Sequence, residues 1–99
     1  MTTKRIPAER HLDLEEGRTI DDAAALRKTV SGLLERKGKV IIEAGNVARI
    51  DTAALQVLVA FCAAAREHEV EVAWGTVSEP AERSIALLGL QSAVNFEPA

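Results

Sequence analysis

The sequence predicts an α/β domain in which a mixed sheet carries helices packed on it. Short runs of strand length stand at His11 to Leu14, Lys39 to Ala44 and Val70 to Trp74, either alternating or β-branched. Longer segments with apolar residues at helical spacing lie between and after them, around Leu26, Leu55 and Ile85. The resulting order, β-β-α-β-α-β-α, buries its apolar faces most simply as layers.

His11-Leu12-Asp13-Leu14 alternates polar and apolar, as a strand with one buried face does. Gly17 breaks it, and Arg18-Thr19-Ile20 reads as a short second strand. Asp21-Asp22 open a helix, where acidic residues complement the positive end of its dipole. Its apolar side is Leu26, Val30, Leu33 and Leu34, with Ala23 alongside; Arg36 and Lys37 occupy its last turn and Gly38 ends it. Val40-Ile41-Ile42 is the apolar centre of the next strand, of the doubly covered kind. Gly45-Asn46 turns the chain, and Val47 to Ile50 runs strand-like into a second helix. After the strand at Val70 to Trp74, Ser78 is the expected N-cap of a third helix, with Pro80 in its first turn. Ile85, Leu87 and Leu88 are its expected apolar side, and Gly89-Leu90 its C-cap. Ala93 to Phe96 is expected to add a short edge strand.

A chain of 99 residues makes one domain with one modest core: residues 1–9 read as a loose lead-in and 10–97 as the domain. Hydrophobic residues make up 47%, enough for a globular fold, but aromatics only 3%, so Leu, Val and Ala must fill the core. Residues 1–49 carry ten Lys/Arg and eight Asp/Glu; residues 50–99 carry two and seven, so no basic stripe exists for nucleic acid. The single Cys62 excludes an internal disulfide and a cysteine zinc site. The first residues have charges but no apolar core of a signal peptide, and no apolar run reaches the about 18 residues of a membrane helix. A cytoplasmic location without membrane insertion is the expectation.

The most informative segment is Val47 to Glu67. A strand-like piece passes through Asp51-Thr52 into a run almost wholly of Ala, Leu, Val and Phe. A helix start leaves backbone N–H groups unpaired and partly positive. A threonine there either caps the helix or carries a phosphate that the helix end stabilises. At about 100° per residue, Leu55, Leu58, Val59 and Cys62 form one stripe, the core side. Ala53, Val57, Ala60, Phe61 and Ala64 fall roughly opposite. Either another element covers that side, or it is an exposed apolar patch for a partner.

Little else carries chemistry. His11 and His68 lack ligand-spaced partners, and no phosphate-cradling or nucleophile-elbow motif is present. Cys62 lies on the core stripe and reads as a buried structural thiol. Glu15-Glu16 and Asp21-Asp22 read as loop and helix-start charges, Glu67, Glu69 and Glu71 as a solvated strand face. Arg27, Lys28, Arg36, Lys37 and Lys39 are explained by solvation and dipole complementarity. No catalytic residue, metal site or cofactor is expected.

Val40-Ile41-Ile42-Glu43, the segment from Val47 through Asp51-Thr52-Ala53-Ala54-Leu55 to Leu58, then Ser78-Glu79-Pro80 and Leu87-Leu88-Gly89-Leu90 together resemble the STAS domain of bacterial anti-sigma factor antagonists. The resemblance covers about residues 10–95. It implies a mixed sheet of four to five strands with about three main helices, mainly on one side, and a non-enzymatic role. It also implies partner switching, in which a partner serine/threonine kinase phosphorylates the residue at Thr52, after the acid at Asp51. Similar lone STAS subunits bind the ATPase of lipid-transporting ABC systems or belong with chemotaxis proteins, which gives the alternative of a constitutive subunit. On this reading Asp51, Thr52, Ala53, Val57 and Phe61 meet the partner. The family often has Gly where Ala54 and Glu69 stand, and Asp where Glu43 stands.

Overall fold

The computed structural model describes residues 9–14, 19–20 and 23–96. In chain order these form β1 (Glu9–Asp13), β2 (Thr19–Ile20), α1 (Ala23–Leu33), β3 (Gly38–Ala44), β4 (Arg49–Ile50), α2 (Thr52–Glu67), β5 (Val70–Val77) and α3 (Glu79–Leu87). The lead-in, Glu15-Glu16, Gly17, Arg18 and Asp21-Asp22 lie outside the described residues.

Among the described residues the sheet has three strands in the order β1-β3-β5, and both pairings are parallel. The described part of the sheet is thus parallel, with fewer strands than the four to five expected of a mixed sheet. β2 and β4 form a separate two-stranded parallel pair, Thr19 opposite Arg49 and Ile20 opposite Ile50. The expected edge strand at Ala93 to Phe96 is a turn instead, in which Val94 N–H donates to Leu90 O and Phe96 N–H to Gln91 O. Asn95 takes a left-handed φ of 58°, outside the extended range of a regular strand.

Because side chains alternate along a strand, Val40, Ile42 and Ala44 of β3 enter the core, while Lys39, Ile41 and Glu43 face the partly open side. Glu43 binds across all three strands: its carboxylate meets His11 Nδ1 at 2.8 Å and accepts from Thr76 N–H at 3.2 Å. Gly75 passes beneath that carboxylate, and a Cβ there would strike it.

α2 lies against β5 on the core side of the sheet, and α1 lies against α2. Leu55, Leu58 and Cys62 have no exposed surface, as their stripe requires. Val57 and Phe61, on the other side, are 5% and 2% exposed. The covering element is α1, which brings Val30 to the same groove, with Leu34 just past its end. Val57 and Phe61 are thus core residues and not the open patch that sequence periodicity allowed. Phe61 is the largest of the fully buried side chains.

The helix ends are readable in their bonds. α1 stops at Leu33, before the expected Arg36-Lys37 turn, and Leu34 N–H closes it onto Val30 and Ser31. Gly38 instead opens β3 with a φ of 134°, a conformation only glycine adopts readily. Ser78 caps α3 by accepting from Ala81 N–H. Gly89 N–H bonds Ala86 O and Leu90 N–H bonds Ile85 O, the paired closure of a Schellman cap. Glu69 holds φ 60°, so an ordinary side chain bears the left-handed link from α2 to β5. It sits between α2 and β5, leaving Glu71 as the strand residue of the acidic trio. Leu87 and Leu88 depart from the expected apolar side: they are 80% and 47% exposed, and Ala81 and Ile85 are the buried residues of α3.

Burial pushes the Cys62 thiol from its ordinary 9.0 up to about 11, with Arg66 pulling weakly the other way. Below 9.0 the thiol is neutral whether the chain is folded or not; between 9.0 and about 11 the unfolded chain ionises first. This contribution to stability is therefore lost as pH rises through that window. Urea unfolding at stepped pH is expected to show that fall, and Cys62→Ala a shallower one. Phe61→Ala is expected to cost the free protein about 3–5 kcal/mol, read by the same method.

Candidate functional site

The strand-to-helix junction that the sequence singled out is exposed at its tip and fastened beneath. Val47 and Ile50 are buried, 1% and 5% exposed, and anchor the approach. β4 pairs with β2 on one side. On the other side α3 holds it twice: Ser78 Oγ donates to Val47 O at 2.6 Å, and Ile50 N–H donates to Ser84 Oγ at 3.4 Å. Ser84 donates in turn to Pro80 O. Sequence reading missed these two serines as tethers of the junction. Ser78 was legible only as a cap, and a serine inside a helix gives no sign of a partner 34 residues away.

Asp51 is the N-cap of α2, with extended backbone (φ −67°, ψ 152°) and no side-chain capping bond. Its carbonyl accepts the first helical bond, from Leu55 N–H at 2.9 Å. Thr52 is the first helical residue and is exposed, as is Ala53. Among the described residues the Thr52 hydroxyl has no hydrogen-bond partner, so capping does not occupy it. The first N–H groups of α2 likewise point outward without an intrahelical acceptor. The structure thus brings Asp51, Thr52 and Ala53 together at the surface and sends Val57 and Phe61 beneath it.

A groove of ≈ 330 Å³ runs between α1 and α2. Val57 and Phe61 reach its floor, and the exposed Arg27, Ser31, Gln56 and Ala60 line it higher up. No group of three or more His, Cys, Asp or Glu among the described residues could hold a metal ion. No helix among them is long and apolar enough to cross a membrane. His11 is engaged with Glu43 on the sheet, and His68 ends α2 as an exposed C-cap.

The fold and this junction define a small α/β domain whose exposed chemistry gathers at the start of one helix. Residues 1–95 match the family described as "Mlab, STAS domain". The chain belongs to the STAS family. Comparison with curated proteins gives no match. As a class, STAS domains are regulatory protein–protein interaction modules and are generally non-enzymatic.

Because Thr52 is exposed and unbonded, Thr52→Ala is expected to leave folding stability within about 0.5 kcal/mol of wild type. Ser78→Ala removes both the α3 cap and the bond to Val47 O, and is expected to cost about 1–2 kcal/mol. Denaturant titration of the two variants side by side checks both values.

Proposed function

We propose that the chain is a partner-switching module that docks through Asp51, Thr52 and Ala53 and is released by phosphorylation of Thr52. The observation that carries this is the free, solvent-facing Thr52 hydroxyl at the start of a helix whose body is buried. A kinase can reach that hydroxyl without unfolding anything. A phosphate there adds about −1.5 to −2 charges beside Asp51. The unpaired N–H groups of the first turn would stabilise it, so the modified state is not strained. A partner surface shaped for a neutral threonine would then meet a doubly anionic group, and like charges or lost fit would separate the two. An anti-sigma-type serine/threonine kinase is the partner that this switch requires. Val57 and Phe61 serve the docking surface from below, by holding α2 in place.

A second reading rests on the tethers. A junction pinned by β2, Ser78 and Ser84 is preformed, which suits a permanent contact as well as a switched one. On that reading the chain is a constitutive subunit, of a lipid-transporting ABC system bound through its ATPase or of a chemotaxis complex, and Thr52 is a contact that is never modified.

Titration of the cognate partner, an anti-sigma-type kinase or an ABC ATPase, against wild type, Thr52→Ala and Thr52→Glu separates the two. Switching is expected to make Glu weaken binding at least about tenfold more than Ala, a difference of about 1.4 kcal/mol. Equal losses from both variants favour the constitutive subunit.

A further inference from the structure

No capping side chain fixes the direction in which the chain enters α2, because Asp51 stands at the N-cap without a side-chain capping bond. The direction is set from α3. Ser78 Oγ donates to Val47 O at 2.6 Å, and Ile50 N–H donates to Ser84 Oγ at 3.4 Å. The two serines differ in what else they do. Ser78 N–H donates to Ala44 O, and its hydroxyl accepts from Ala81 N–H, so it ties the end of β5 to β3 and starts α3. The fold needs Ser78 whether or not anything docks.

Ser84 has no such duty. It lies inside α3, where alanine is the better helix former. A hydroxyl has one proton to donate, and Ser84 gives its own to Pro80 O at 3.1 Å, one turn back. A bond of that kind slightly weakens a helix. It does fix the rotor, so that Ser84 presents the lone pairs of its oxygen to Ile50 N–H. Ile50 is buried, and Asp51 and Thr52 follow it directly. Asp51 O then accepts the first helical bond, from Leu55 N–H. A tilt of the Ile50 peptide is therefore passed to Thr52 within two residues. The support on the other side, the β2–β4 pair, is only two residues long.

We infer that Ser84 is a positioning residue for the surface at Asp51, Thr52 and Ala53: its hydroxyl orders that surface before a partner arrives. This rests on the docking reading above and adds to it the element, α3, that keeps the site preformed. Preformation counts because apparent affinity falls in proportion to the fraction of molecules in the competent arrangement. Ser84 thus acts on binding through Ile50, without being required to touch the partner.

The test compares the full chain with Ser84→Ala and Ser84→Thr. In the free protein, Ser84→Ala is expected to leave the melting temperature unchanged while exchange at the Ile50 amide quickens about tenfold or more. Relaxation dispersion, flat in wild type, is expected to appear at Asp51, Thr52 and Ala53 but not at Arg66 and Glu67, the far end of α2. Ser84→Thr keeps an oxygen in the same place and is expected to restore both readings. Titration with the cognate partner is expected to show Ser84→Ala weakening binding by the factor by which dispersion lowers the wild-type arrangement. Unchanged dispersion and Ile50 exchange in Ser84→Ala overturn the inference. A lowered melting temperature with faster exchange throughout α3 and β3 also overturns it, because Ser84 is then a structural residue alone. A loosened junction that binds as tightly as wild type, while Thr52→Glu still weakens binding, overturns the inference and leaves the docking reading standing. If neither Thr52→Glu nor Ser84→Ala alters binding, the docking reading has failed and the inference falls with it.

Discussion

Leu55, Leu58 and Cys62 seal one side of α2 into the core, and Val57 and Phe61 seal the other beneath α1. A helix buried on two sides is unusual in so small a domain, and it sets what the rest of the chain can do. Fully burying a side chain such as Phe61 contributes about 1.5–3 kcal/mol, a large part of the margin of a domain this size. α1 cannot leave without uncovering Phe61. The surface that α2 offers is then its first turn, Gln56, small alanines along its length, and Arg66 and Glu67 at its far end. The docking site we propose is therefore Asp51, Thr52 and Ala53, where a rigid body ends and unpaired N–H groups begin.

The sheet depends on the same arrangement. Helices cover the face of Val40, Ile42 and Ala44, so β3 alternates in burial where a doubly covered strand would not. The partly open face compensates with polar cross-strand contacts, Glu43 to His11 and Thr76, and Lys39 to Glu71 at 3.9 Å. These are exposed and contribute little energy each. They give register: a slip by one residue would turn Glu43 into the core.

Much of this was legible in the sequence because local chemistry determined it. The capped start of α3 at Ser78, the glycine closure at Gly89 and the helix start at Thr52 follow from bonds between near neighbours, which spacing reveals. Periodicity also separated the two sides of α2. It could not say what lay over the second side, because that depends on α1 packing from far along the chain. The same limit explains Leu87 and Leu88, which have apolar side chains but no element above them. Ala93 to Phe96 reads as a strand by composition, yet local turn bonds and the left-handed Asn95 take it out of the sheet. The tethers at Ser78 and Ser84 join residues more than thirty positions apart and needed the packed structure.

Native-state hydrogen exchange across a denaturant series tests most directly whether α2 is held on both sides as one unit with the sheet. The account predicts that the amides of Leu58 to Ala65 and those of β3 exchange only through global unfolding, with the same free energy and the same denaturant dependence. Exchange of the Val57 and Phe61 turns through a smaller opening, with α1 undocking while the sheet stays protected, would contradict it. Those residues would then be an interface that opens, and the function would have to be sought along α2 instead of at its end.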